Sequence, residues 1–192
     1  MGKNKYVTTG KLTLSAMFLA LGMVLPFLTG QIQQIGNMLL PMHLPVFLCG
    51  LICGWQYGAI LGLFLPLLRS ATFGMPPLYP TALAMALELA AYGLVAGLLY
   101  GHSRWQCVRA LYRALIVAML AGRIVWGAAE VVLLGLTGNT FTWKMFLSGA
   151  LLNSIPGIIL QLVLIPAIMV ILTKTGFLQF TKQELSQQSI GR

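Results

Sequence analysis

Long apolar runs separated by short polar stretches account for almost the whole chain. A helix needs roughly 20 mostly apolar residues to cross the hydrocarbon core of a bilayer. The runs therefore predict an all-α bundle of six membrane-spanning helices, at about residues 12–28, 38–54, 57–69, 81–100, 114–136 and 145–172. Residues 173–192 are predicted to form a polar cytoplasmic tail, and the length allows a single membrane domain, 1–192.

The composition supports a membrane protein and changes how its net positive charge is interpreted. The chain is 58% hydrophobic and 8% charged, whereas soluble domains carry about 25% charged residues. Twelve Lys and Arg against three acidic residues give a net charge of +9. In a soluble protein this balance would suggest nucleic-acid binding. Here the basic residues flank apolar runs, so membrane topology explains them and no nucleic-acid partner is expected.

The distribution of basic residues predicts the orientation in the membrane. With the N-terminus inside, the cytoplasmic segments hold nine of them: Lys3, Lys5, Lys11, Arg104, Arg109, Arg113, Lys174, Lys182 and Arg192. The segments on the other side hold Lys144 alone. Cytoplasmic segments of membrane proteins are enriched in Lys and Arg. We therefore predict a multi-pass protein of the plasma membrane with both termini in the cytoplasm.

Small residues recur at helical spacing in two places. Ala16 and Ala20 are four residues apart on predicted helix 1, so they share a face that another helix could approach closely. Glycines recur every four residues at positions 50, 54, 58 and 62 and again at 93, 97 and 101. The glycine series predicts close packing among predicted helices 2, 3 and 4.

Ionisable residues inside predicted helices mark a candidate site. A charged side chain at the centre of a bilayer costs at least ~2.5 kcal/mol, so it normally faces a partner or a cavity. Arg123, Trp126 and Glu130 lie on one face of predicted helix 5, and Glu88 and Tyr92 share a face of predicted helix 4. Two interpretations are open: a polar pocket in the outer half of the bundle, or a closed ion-pair network in which Arg123 joins Glu88 or Glu130.

Further polar residues lie near the outer surface or in predicted helix 6. Those in the outer loops are candidate ligand contacts, although aromatic residues at this level also form interfacial belts. The complete set of candidate substrate-binding residues is Asn37, Arg69, Tyr79, Glu88, Tyr92, Arg123, Trp126, Glu130, Asn139 and Asn153.

Several catalytic signatures are absent from the sequence. No Gly-x-x-x-x-Gly-Lys-Ser/Thr loop is present, so the chain has no evident ATP site of its own. It contains no Asp, and its two histidines, His43 and His102, fall near opposite membrane faces in the predicted topology. No metal-ligand cluster or Ser/His pair emerges, so we predict no cofactor, no metal site and no catalytic residue.

Two stretches and the overall layout resemble a known family. The stretches are Gly-Asn-Met-Leu-Leu-Pro-Met-His-Leu-Pro at 36–45 and Arg-Ser-Ala-Thr-Phe-Gly-Met-Pro-Pro at 69–77. Together with six short helices, cytoplasmic termini and the Ala16–Ala20 pair, they resemble the substrate-binding S components of energy-coupling factor (ECF) vitamin transporters. The resemblance covers roughly residues 8–175.

The resemblance implies that different subunits bind the substrate and supply the energy. In that family the S component binds a vitamin or precursor from outside, while a separate membrane subunit and two cytosolic ATPases supply the energy. The alanine motif of helix 1 docks on the membrane subunit, which implies that role for Ala16 and Ala20. The ligand lies in the outer half, beneath the loop between helices 1 and 2 and against helices 4 to 6. The subgroup that the two stretches resemble suggests pantothenate, with a pyridoxine-like or other small vitamin as the alternative.

Two other functions stay open from the sequence. The first is a small membrane enzyme, for example a lipid-modifying one, that uses Glu88 or Glu130 at the headgroup level. The second is a scaffold in which the buried charges only hold helices together. A bound vitamin in the purified protein would separate the transporter subunit from both.

Overall fold

Helices make up every regular element in the computed structural model, which describes residues 3–29, 41–103, 107–136 and 155–175. The α-helices in these ranges are α1 (Lys3–Val24), α2 (His43–Cys53), α3 (Trp55–Phe73), α4 (Leu83–Gly101), α5 (Val108–Leu136) and α6 (Ile155–Lys174). A 3-10 turn, Leu25–Thr29, follows α1, and a π-helical turn, Leu78–Ala82, precedes α4. The predicted all-α class is confirmed for the described residues.

Four of these segments are long and apolar enough to cross a membrane: Thr9–Phe27, Leu78–Gly101, Val108–Leu136 and Ile155–Lys174. The helix α2 is apolar but has only 11 residues. The structure thus supports a multi-pass membrane protein, and the full set of six crossings stays a prediction.

Local chemistry explains where α2 and α3 begin and end. Pro45 lies in the first turn of α2, where a missing N–H removes no helical hydrogen bond. Between α2 and α3 a single residue, Gly54, adopts a φ of 109°, a region that favours glycine. The helix α3 continues past Arg69 to Phe73, where the N–H of Gly74, with a φ of 69°, bonds the carbonyl of Ser70.

The helix α4 lies at the centre of the packing and contacts α2, α3 and α5. Half of its apolar segment is buried, against 11% of the segment in α1. The helix α1 therefore lies at the edge of the bundle, where it packs on α2 and α3 and leaves most of its surface to lipid or to a partner.

Glycines bring the backbones of α2, α3 and α4 together, as the four-residue spacing predicted. A Cβ built on Gly50 would lie 2.6 Å from the carbonyl oxygen of Gly93, and one built on Gly93 would overlap the backbone of Gly58. Gly54 and Gly101 belong to the same series, yet a Cβ on either would meet nothing within 4 Å. The spacing therefore identifies the packed glycines only within the helices and not at their ends.

This difference gives a matched pair of substitutions. Gly93→Ala forces two backbones apart, and such overpacking typically costs about 1–3 kcal/mol of the free energy of unfolding. Gly101→Ala fills open space and should leave it nearly unchanged. Thermal unfolding in one detergent compares the two variants, and equal midpoints would contradict the close α3–α4 contact.

Candidate functional site

A buried carboxylate on α4 is the centre of the candidate site. Glu88 and Tyr92 are one turn apart, and their exposed fractions are both 2%. The Tyr92 hydroxyl donates a hydrogen bond of 2.7 Å to Oε1 of Glu88. Because both residues belong to the same helix, this contact orients the carboxylate independently of the other helices.

Arg123 on α5 supplies the compensating charge. Its Nη1 lies 3.0 Å from Oε1 of Glu88, and 13% of its side chain is exposed. Of the two partners that the sequence left open for Arg123, the structure selects Glu88. Removing both charges from water is costly, so the pair depends on its close geometry and on the added hydrogen bond from Tyr92.

His43 is a member of the cluster that the sequence analysis did not include among the site residues. It is the first residue of α2, is 1% exposed, and places Nε2 3.9 Å from Oε1 of Glu88. Its ring centroid lies 5.2 Å from that of Tyr92. When protonated, the imidazole would add a second positive charge beside the carboxylate.

Two further residues hold Tyr92 in place. The Phe47 ring on α2 packs against Tyr92 at a centroid distance of 4.9 Å. On the other side the Tyr92 ring lies directly on Gly122 of α5, where any Cβ would overlap it. Gly122 precedes Arg123 in the sequence. The same turn of α5 therefore leaves room for the Tyr92 ring and carries the positive charge that pairs with Glu88.

One edge of the Arg123 guanidinium is not used by the ion pair. Among the described residues, its buried Nε and Nη2 have no hydrogen-bond partner. These two N–H groups are the parallel donors of one edge, the geometry that binds a carboxylate in a bidentate manner. Arg123 can therefore keep its ion pair with Glu88 through Nη1 while its Nε–Nη2 edge binds an anionic group.

Glu130 is the other acidic residue on this face of α5. It is 8% exposed, and within the described ranges no hydrogen bond or ion pair reaches its carboxylate. Trp126 lies between Arg123 and Glu130 on the same face and is half-buried. The predicted polar face of this helix thus carries a cation, an aromatic ring and an acceptor.

Arg69 and Tyr79 lie in different surroundings from this cluster. Arg69 is 3% exposed, donates a hydrogen bond of 2.7 Å to the carbonyl of Met23, and lies 5.3 and 5.4 Å from the ring centroids of Phe27 and Phe73. These contacts connect the C-terminal part of α3 to the end of α1 and to the 3-10 turn that follows it. The hydroxyl of Tyr79, which is exposed, donates to the carbonyl of Leu133. Both stay predictions as ligand contacts.

Three candidate amides, Asn37, Asn139 and Asn153, lie outside the described residues. The amide Gln161 on α6 is 2% exposed and therefore belongs to the interior of the bundle. Within the described residues, this side chain is the buried amide that predicted helix 6 contributes.

The two sides of α1 have different environments. Ser15 and Gly22 face the bundle: Cys49 on α2 donates a weak hydrogen bond to Ser15 at 3.5 Å, and a Cβ on Gly22 would press on Leu65. Ala16 and Ala20 are both exposed. The alanine face is therefore available for another helix to pack against.

Comparison with known proteins gave one match. A family model described as ECF transporter, substrate-specific component matches residues 10–169. Neither the curated proteins nor the solved structures contain a match.

The buried pair can be tested by a double-mutant cycle. Removing one partner of a buried ion pair typically costs about 3–5 kcal/mol because the other charge is left uncompensated. Glu88→Gln and Arg123→Gln should each approach this loss in free energy of unfolding, and the double variant should be more stable than the sum of the two losses predicts. Arg113→Gln, exposed on the same helix, is the control. Strictly additive losses would show that the two side chains are not coupled.

Proposed function

Because the chain belongs to the family of ECF transporter substrate-specific components, we propose that it binds a small vitamin at the outer side of the plasma membrane for an ATP-driven importer. Pantothenate is the leading substrate. The observation that carries the proposal is the buried edge of Arg123, which the Glu88 pair leaves available for an anion. The family consists of transporter components, which supports a role in transport over the membrane-enzyme alternative.

The chemistry of pantothenate suits the site. Its carboxylate can accept two parallel hydrogen bonds from the Nε–Nη2 edge of Arg123. Its amide and hydroxyl groups need partners of the kind that Asn37, Asn139 and Asn153 offer. A pyridoxine-like vitamin has no carboxylate, so it could not form the parallel pair of hydrogen bonds that a carboxylate makes with this edge of Arg123.

The proposal includes the partners of an ECF importer: one membrane subunit and two cytosolic ATPase subunits. Two features support docking through α1. Its apolar segment is only 11% buried, and Ala16 and Ala20 are exposed on it. Small residues on a membrane helix let a second helix approach closely.

We propose six crossings with both termini in the cytoplasm, on the basis of the nine-to-one distribution of basic residues. Single cysteines introduced at residues 1 and 192, in a background without the native cysteines, should react with a membrane-impermeant thiol reagent only after the membrane is opened. Labelling of residue 192 in intact cells would overturn the topology.

Ligand identity and the role of Arg123 are tested together. Mass spectrometry of small molecules extracted from the purified protein should find pantothenate, and calorimetry should show that it binds. Arg123→Ala should weaken binding by at least about tenfold, since a charge-assisted hydrogen bond contributes about 1.5–3 kcal/mol. Arg123→Lys should also weaken it, because lysine keeps the charge but loses the planar fork.

The exposed Arg113, changed to Ala, is the control on the same helix. An unchanged affinity in Arg123→Ala together with a lower unfolding temperature would reduce this residue to a structural role. A different extracted molecule would replace pantothenate as the substrate while leaving the transport function intact.

Docking is tested on α1. Ala16→Trp combined with Ala20→Trp should block assembly with the membrane subunit and abolish uptake, because two large side chains prevent close helix approach. Ligand affinity of the isolated subunit should stay nearly unchanged. The pair Met17→Trp and Leu21→Trp, exposed on the adjoining side of α1, is the matched control. Assembly that survives the alanine substitutions would contradict the docking role.

A further inference from the structure

Two groups with unfilled hydrogen-bonding capacity lie along one face of α5. At one position is the Nε–Nη2 edge of Arg123, buried and without a partner among the described residues. Seven residues later is the carboxylate of Glu130, which has no hydrogen-bond or ion-pair partner in the same ranges. At ~1.5 Å of rise per residue, they are separated by about 10 Å along the helix axis.

The two positions need opposite chemistry in a ligand that contacts both. The guanidinium edge only donates, and an ionised carboxylate only accepts. An acceptor is therefore required at Arg123 and a donor at Glu130. Trp126 lies between them on the same face and offers apolar surface to the middle of such a molecule.

The neighbours of Arg123 favour an anion as its acceptor. Glu88 holds Nη1 from one side, and His43 stands 3.9 Å from the same carboxylate oxygen. The parallel N–H groups on the free edge of Arg123 form stronger hydrogen bonds with an anion than with a neutral acceptor. Glu130 lies two helical turns further along α5, so a second anion at that position would face its carboxylate.

We propose that the ligand lies lengthwise along α5, with a carboxylate on the Nε–Nη2 edge of Arg123 and a hydroxyl group donating to Glu130. The inference rests on the proposed function and extends it, because it fixes the orientation of the ligand and makes Glu130 a specificity-determining residue. The substrate class is an elongated monocarboxylate with a hydroxyl group at the far end. Pantothenate meets this description: eight bonds separate its carboxylate carbon from its terminal hydroxyl oxygen, or about 10 Å when three bonds of an extended chain span ~3.6 Å.

Three probes distinguish the two ends of the ligand. Pantothenate has both groups, panthenol replaces the carboxylate with an alcohol, and 4′-phosphopantothenate replaces the terminal hydroxyl with a dianion. The wild-type protein should prefer pantothenate to panthenol through Arg123 and pantothenate to the phosphate ester through Glu130. Each preference should be at least about tenfold, the size expected for one charge-assisted hydrogen bond.

Two variants should then change different preferences. Arg123→Gln should remove the preference for pantothenate over panthenol and leave the rejection of the phosphate ester. Glu130→Gln should relax the rejection of the phosphate ester and leave the preference over panthenol. Glu130→Asp, which keeps the charge but withdraws it by one methylene group, should weaken pantothenate binding and still reject the phosphate ester. Glu184→Gln in the C-terminal segment is the control.

The outcomes are distinct. If Arg123→Gln relaxed the rejection of the phosphate ester and Glu130→Gln removed the preference over panthenol, the orientation of the ligand would be reversed. If neither Glu130 substitution had any effect in folded, monodisperse protein, the role of Glu130 would be overturned. In both cases the proposed substrate stands. A wild-type protein that binds none of the probes, and from which a molecule without a carboxylate is extracted, would overturn both this inference and the pantothenate proposal.

Discussion

A carboxylate buried in an apolar helix bundle must be compensated, and the compensation of Glu88 determines how the centre of this molecule is built. Tyr92 binds it from the same helix, Arg123 from α5, and His43 approaches it from the start of α2. Three helices, α2, α4 and α5, thus meet at one carboxylate oxygen. The free-energy penalty for an uncompensated charge is larger in a medium of low polarity. Losing this contact therefore costs more than losing an apolar contact around it.

The sequence predicted which site residues share a face of the same helix. Spacing placed Glu88 with Tyr92, and Arg123 with Trp126 and Glu130, since residues three or four apart share a face. It could not choose between Glu88 and Glu130 as the partner of Arg123. That choice depends on the relative positions of α4 and α5, which the spacing within one helix does not determine.

The residues that the sequence analysis missed act between helices. His43 joins the cluster only because α2 begins beside Glu88, and Gly122 matters only because the Tyr92 ring reaches α5 at that turn. Ala114 and Ala118 precede Gly122 at the same four-residue spacing, and a search limited to glycines does not find this series. Arg69 shows the reverse: its charge suggested a ligand contact, whereas its visible partners are the carbonyl of Met23 and two aromatic rings.

The shortness of α2 has an electrical consequence. Eleven residues span about 16 Å, roughly half of the ~30 Å hydrocarbon core. In the proposed topology the α2–α3 turn lies at the cytoplasmic surface, which would place His43 and the carboxylate of Glu88 near the middle of the membrane. An anion that reaches Arg123 from outside would therefore cross about half of the membrane potential. Since a full crossing is worth ~2.3 kcal/mol per 100 mV, an inside-negative potential would weaken anion binding by about sevenfold per 100 mV relative to protein in detergent.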